Sequence, residues 1–322
     1  MTNQDFTFHP SVEEEKRNIE KEESYYKKLI RRYSSKKKYA AALILIVVLV
    51  LCAIFAPMLS NHKYTQSVRV SEDGNEVVAT NIPPQIGNAG STETFGNVTF
   101  LFGTDDLGRD LFTRVWMGTR ISLIIAIISI LINVIIGTGY GMISGYAGGM
   151  TDSVMQRFIE IINSVPSLVM VAVLAIFVPK GVGLVLIMLI LIGWIDVSRI
   201  ARTGTMRVKN LEYVMASRTM GASDARIIFK TILPNIFEPI VTQIIISVPE
   251  AIFVEAFLSF VGVGIVPPDC SLGSLIQDGF THVLSHPYQI VAPVMVLALL
   301  MISFNYIGEG IGYALASGKD GL

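Results

Sequence analysis

The chain has 322 residues, 52% of them hydrophobic and only 16% charged, with a mean hydropathy of +0.57. A water-soluble domain carries about 25% charged residues, so a wholly soluble globular fold is excluded. The formal net charge of −1 argues against nucleic acid as a partner.

Residues 1–39 form a polar tail, "SVEEEKRNIEKEESYYKKLIRRYSSKKK", with Glu and Lys at helical spacing that includes Glu13 and Arg17. It reads either as a surface helix whose cations meet anionic headgroups or as a solvated cytoplasmic tail. The next run, "AAALILIVVLVLCAIFAPM" at 40–58, contains no charge. About 20 apolar residues at ~1.5 Å each cross a ~30 Å hydrocarbon core. The run is too long for a signal-peptide core, so residues 40–60 are expected to remain as the first transmembrane helix.

Residues 61–118 are mostly polar and are assigned to the outside. Two β-rich runs flank Asp73-Gly74 and predict a small hairpin. Asn97-Val98-Thr99 matches a glycosylation pattern, but three residues recur too often by chance to carry weight. The core, 119–316, holds apolar segments near 119–145, 161–178, 182–197, 237–266 and 289–312, followed by a tail at 317–322. Pro239 and Pro249 predict a kink or break in the fifth span. An all-α protein of six transmembrane helices is expected, with both termini on one side.

Basic residues orient it. Eight lie between Lys21 and Lys38, and seven more (Arg199, Arg202, Arg207, Lys209, Arg218, Arg226, Lys230) follow the fourth span. The other side carries the sparser set Lys63, Arg69, Arg109, Arg114, Arg120 and Lys180. The N and C termini and the loop 198–236 are therefore assigned to the cytoplasm.

Gly137, Gly141 and Gly145 place one small-residue stripe on the second span, suited to close packing within the chain or against a second membrane subunit. Glu250 and Glu255 fall inside the fifth span, where a carboxylate needs a partner or water. They are candidates for a solute path or gate, together with Asn305 on the sixth span, and structural pairing is the alternative. Asp196 and Glu309 sit at helix ends and read as interface residues. Cys52 and Cys270 have no metal spacing, His282 and His286 precede Pro287 without a zinc-helix pattern, and no metal site is expected. The chain contains no G-x-x-x-x-G-K-[ST] phosphate loop, so any nucleotide belongs on another polypeptide.

The stretch "EYVMASRTMGASDARIIFKTILPN", Glu212–Asn235, is half polar between two apolar segments. Two helical turns are expected up to Met220, Gly221 as a C-cap with positive φ, and Ser223 or Asp224 as N-cap of a second helix. That second helix should run through Ile232 and end at Pro234. Met215 and Met220 give the first helix an adaptable surface, and Ala216 and Ser217 allow close approach.

This stretch resembles the cytoplasmic loop of ABC importer permeases, E-A-A-x3-G-x9-I-x-L-P. Met215, Ala216, Ser217, Gly221, Thr231, Leu233 and Pro234 fall on the pattern's positions, with Met215, Ser217 and Thr231 replacing its Glu, second Ala and Ile. "FGTDDLGRDLFTRVWMGTRISL", "GYAGGMTDSVMQRFIEIINSVPSL", "EAFLSFVGVGIVPP" and "FNYIGEGI" look like the dipeptide/oligopeptide/nickel permease group, in its C-type subunit. Leu272 stands where that group usually has Trp. The similarity spans about Arg31 to Ala316.

The resemblance implies a type I ABC importer transmembrane domain and a non-catalytic subunit. Its implied partners are a B-type permease, two cytoplasmic ATPases carrying ATP and Mg, an extracellular binding protein and a peptide, in a bacterial plasma membrane. It also implies that Met215, Ala216, Ser217, Arg218, Met220, Gly221, Asp224, Leu233 and Pro234 couple to an ATPase. A nickel or other small-solute importer is the alternative. An ion-coupled secondary carrier would use Glu250 or Glu255 as its proton site, but the internal repeats common in such carriers are not visible.

Overall fold

The computed structural model describes residues 25–60, 62–72, 75–85 and 99–316. The tail before Tyr25, the Asp73-Gly74 turn, Asn97 and Val98 of the glycosylation pattern, and the end from Ser317 lie outside the described residues. In chain order the elements are α1 (Tyr25–Ser34), α2 (Lys37–Leu59), β1 (Arg69–Glu72), β2 (Asn75–Val78), α3 (Leu111–Ala147), α4 (Gly149–Ser164) and α5 (Ser167–Phe177). Then come α6 (Val182–Val208), α7 (Glu212–Thr219), α8 (Asp224–Arg226), a π-helical turn (Ile227–Ile232), α9 (Leu233–Phe260), α10 (Leu272–Thr281) and α11 (Tyr288–Ala316). The fold is mostly helical, with β1 and β2 paired antiparallel around the expected turn.

Among the described residues, five helical units are long and apolar enough to cross a bilayer: α2, α3, α6, α8 through α9, and α11. The expected third span is different. It is a bent pair, α4 and α5, meeting at 85°, and counting it as one span gives six. The break sits at Val165-Pro166, because the proline ring holds the preceding residue extended (φ −90°, ψ 123°). α5 alone has 11 residues, about 16 Å, too short to span.

Pro234 does not end the second helix of the 212–235 stretch, as expected from sequence. The chain passes from α8 through the π turn directly into α9. Pro234 falls in the first turn of α9, where a missing N–H is least costly. Pro239 and Pro249 likewise lie inside an unbroken α9. Membrane helices tolerate such prolines when neighbours and hydroxyls satisfy the freed carbonyls.

The tightest seam joins α3 to α6. A Cβ built on Gly137 would lie 2.5 Å from the Trp194 carbonyl oxygen, and one on Gly145 2.6 Å from that of Arg202. One on Gly141 would overlap the Ser198 carbonyl. The stripe is thus spent inside the chain. Beyond it, the main core collects Leu49, Ala53, Val115, Ile125, Val185, Ile252, Leu275 and Leu300 from α2, α3, α6, α9, α10 and α11. Leu43, Ile44, Leu51 and Phe55 of α2 are exposed, as a lipid-facing side requires.

At the opposite end from the 212–235 stretch, polar groups knot the loops together. The Asp105 carboxylate accepts from Arg109 Nε at 2.7 Å and from the Arg109 and Leu107 amides, and lies 3.4 Å from Arg114 Nε. Asp110 caps α3 by accepting from the Thr113 amide. Gln289 Nε2 at the start of α11 donates to Asn81 Oδ1 at 2.9 Å. Cys52 and Cys270 are both free thiols, and burial pushes that of Cys270 up to about 11.

We expect Gly141→Val to lose about 2–3 kcal/mol through overpacking of the seam. Gly139→Ala, where an added Cβ meets nothing within 4 Å, should stay within about 0.5 kcal/mol of the parent. Thermal melting of the detergent-solubilised protein checks both, and equal midpoints for Gly141→Val and the parent would remove the seam from the stability argument.

Candidate functional site

The 212–235 stretch forms a short exposed helix mounted on two long ones. α7 buries Val214 against Val208, Ile227, Ile232 and Ile236, and turns the rest of its surface outward. Met215 is 52% exposed and Met220 81% exposed. Flexible thioether side chains on an open face adapt to irregular partner pockets.

Its end is a Schellman turn. The Ala222 amide donates to the Ser217 carbonyl at 3.1 Å and the Gly221 amide to that of Arg218 at 2.9 Å, with Gly221 at φ +81°. A Cβ at Gly221 would meet no heavy atom within 4 Å, so what demands glycine there is backbone conformation. Ser223 then caps α8 by accepting from the Arg226 amide at 3.4 Å. The π turn that follows, a geometry common at functional sites, carries Thr231 half-buried.

Side chains tie α7 to the bundle. Arg218 Nη2 donates to the Tyr146 hydroxyl at 2.9 Å and its guanidinium stands 5.5 Å from that ring's centre. The Tyr146 hydroxyl donates in turn to Asp224 Oδ1 at 2.5 Å. Tyr146 belongs to the last turn of α3. Lys209 Nζ, just past α6, donates to the Gly145 carbonyl at 2.7 Å, a cation on the orphan carbonyls of a helix end. Arg202 of α6 grips Asp152 of α4 through both carboxylate oxygens at 2.6 and 2.5 Å, and Ser144 of α3 donates to the same carboxylate.

Of the residues expected at this face, Met215, Ala216, Arg218, Met220, Gly221, Asp224 and Pro234 are exposed, while Ser217 and Leu233 are half-buried. Sequence reasoning missed Tyr146, Asp152 and Ser144, and counted Arg202 and Lys209 only as topology charges. The one available signal was the Gly145-Tyr146 step at the end of the glycine stripe.

The structure separates the three candidate path residues. Glu255 has no accessible surface; its carboxylate accepts from Ser122 Oγ at 2.6 Å and Ser259 Oγ at 2.9 Å, pinning α9 to α3. Asn305 is exposed on α11 and does not line the cavity beside Glu250. Glu250 lines a cavity of about 380 Å³ between α3, α5, α6 and α9, together with Asp196, Asn133 and Phe253. Asp196 is paired with Arg199 at 3.2 Å and Glu309 with Lys38 at 3.2 Å.

Comparison with known proteins agrees with this architecture. Residues 137–320 match the family model "Binding-protein-dependent transport system inner membrane component", and residues 24–84 match "N-terminal TM domain of oligopeptide transport permease C". The oligopeptide transport system permease protein OppC of Bacillus subtilis is 38% identical over 267 residues, covering 83% of this chain and 81% of that protein. The dipeptide transport system permease protein DppC of the same organism is 38% identical over 268 residues, covering 83% and 78%. Among solved structures, the inward-facing MetNI methionine ABC transporter superposes with a TM-score of 0.51 at 17% identity, covering 61% of this chain and 93% of that one. That likeness carries the fold of an ABC importer transmembrane domain. The chain therefore belongs to the family of binding-protein-dependent transport system inner membrane components, as a multi-pass permease subunit of the C type.

Proposed function

We propose that this chain forms half of the translocation path of an ATP-driven peptide importer in a bacterial plasma membrane. In this reading it has six spans and cytoplasmic termini, and it pairs with a B-type permease. An extracellular binding protein delivers the peptide, and two cytoplasmic ATPases supply ATP and Mg. The observation that carries it is the exposed α7 face mounted on α3, α6 and α9, in a chain whose relatives are named as oligopeptide and dipeptide permeases.

Coupling follows from the mounting. An ATPase cleft that closes on Met215, Ala216 and Met220 displaces α7. Arg218, Tyr146 and Asp224 pass that displacement to α3, while Lys209 and the Arg202–Asp152 pair keep α3, α4 and α6 moving together. The π turn passes it to α9. The cavity lies between these same helices, so a small shift at α7 changes the separation of its walls. Partner binding then needs only to bias an equilibrium between inward- and outward-facing arrangements.

Two outcomes are expected. Gly221→Val forces a β-branched residue to positive φ, at a cost of about 1–3 kcal/mol. It should cut transport at least about tenfold while the protein still inserts and pairs; unchanged uptake and ATPase stimulation would remove α7 as the lever. In a deletion strain complemented with the whole importer, labelled oligopeptide uptake should depend on this chain, and Glu250→Gln should lower it more than Glu309→Gln. Uptake of Ni²⁺ without peptide would overturn the peptide reading in favour of a nickel importer.

A further inference from the structure

The cavity beside Glu250 has a chemical bias that the import reading leaves unused. Its walls are largely apolar, built from residues such as Met188, Phe253 and Leu258. Two carboxylates, Asp196 and Glu250, break that surface, and no Lys, Arg or His lines it. Asp196 already has Arg199 at 3.2 Å. Glu250 makes no hydrogen bond or ion pair among the described residues, although it lies inside a helix long enough to span the membrane.

A second, independent group shows the same deficit. Asn133 lines the cavity and is only 6% exposed. Its Nδ2 is committed to the Leu189 carbonyl at 3.1 Å, which fixes the orientation of the amide. Its Oδ1 is then buried without any donor. An acceptor in that position carries a desolvation cost until a donor arrives. The cavity therefore presents an uncompensated anion, with the orphan Asn133 acceptor buried in its wall and the Ser167 and Ser247 hydroxyls as its side-chain donors. At about 380 Å³ it falls within the range of small-ligand pockets.

We propose that this cavity receives the free α-amino terminus of a translocated peptide, with Glu250 as counter-ion; this rests on the peptide-import reading. A peptide α-amino group has a pKa of about 8, so it is mostly protonated at neutral pH. It carries three N–H donors, which matches a site rich in acceptors and poor in donors. The apolar walls take the first side chain without selecting its shape. An N-acylated peptide has no ammonium and leaves Glu250 unpaired, so it should be held less well.

The test is equilibrium binding of labelled trialanine and of N-acetyl-trialanine to the assembled importer in nanodiscs, without the extracellular binding protein. Trialanine has no lysine, so its only ammonium is the terminus. The parent should bind trialanine at least about tenfold more tightly than the acetylated peptide. Glu250→Gln, on an exposed and nearly isosteric side chain, should bring the two affinities together, and Glu250→Asp should restore part of the preference. Equal affinities in the parent, a preference that survives Glu250→Gln, or no trialanine binding at millimolar concentration would each overturn the ammonium site. Peptide uptake by the whole importer is measured in parallel. Uptake that persists while the preference is missing sinks the site alone, and uptake of no peptide at all sinks the import reading on which it rests.

Discussion

Close backbone approach between α3 and α6 organises this molecule. In a bilayer, lipid tails solvate leucine as well as another helix does, so apolar burial selects no particular partner. What selects α6 for α3 is the row of Gly137, Gly141 and Gly145, over which the Trp194, Ser198 and Arg202 carbonyls pass. The same row sets the register of everything attached to the two helices. At its Gly145 end it brings Tyr146 and Arg202 to the positions from which they hold α7 and α4. Above it, Asn133 donates across the seam to Leu189, and the Glu250 cavity opens beside it.

At the Gly145 end of the row, side chains fasten α7 to that pair. Helix termini leave carbonyls without intrahelical donors, and Lys209 fills those of α3. Arg218 and Asp224 then share the Tyr146 hydroxyl, so the short helix α7 is fixed to α3 on both sides of its Gly221 break. Met215 replaces the glutamate of the family pattern without disturbing this attachment, because the attachment runs through Arg218 and Val214.

Carboxylates of one chemistry have three fates here, decided by what surrounds them. Glu255 is enclosed by serine hydroxyls and serves as a pin between α3 and α9. Glu309 meets Lys38 where α2 and α11 approach each other. Glu250, five residues before Glu255, faces a cavity and has no hydrogen-bond or ion-pair partner among the described residues. Five residues on a helix correspond to about 500° of rotation, which is roughly 140° around the axis. That offset alone sends the two side chains to different surroundings.

By itself, the sequence determined the class, the long apolar helices, the hairpin around Asp73-Gly74, the positive-φ turn at Gly221 and a helix cap at Ser223 or Asp224, because each depends on local composition or on backbone constraints acting over a few residues. It also carried the family pattern. Tertiary structure decided the rest. Val165-Pro166 bends the expected third span into α4 and α5, whereas Pro234, Pro239 and Pro249 leave α9 unbroken. Pro234 stands in the first turn of α9 and Pro239 and Pro249 keep helical backbone on both sides, whereas Val165 before Pro166 is extended, so the backbone conformation adopted before each proline separates the outcomes. Likewise no local pattern distinguishes Glu250 from Glu255 or gives Tyr146 and Asp152 their partners, since these roles rest on contacts between residues many positions apart, such as Glu255 with Ser122 and Asp152 with Arg202.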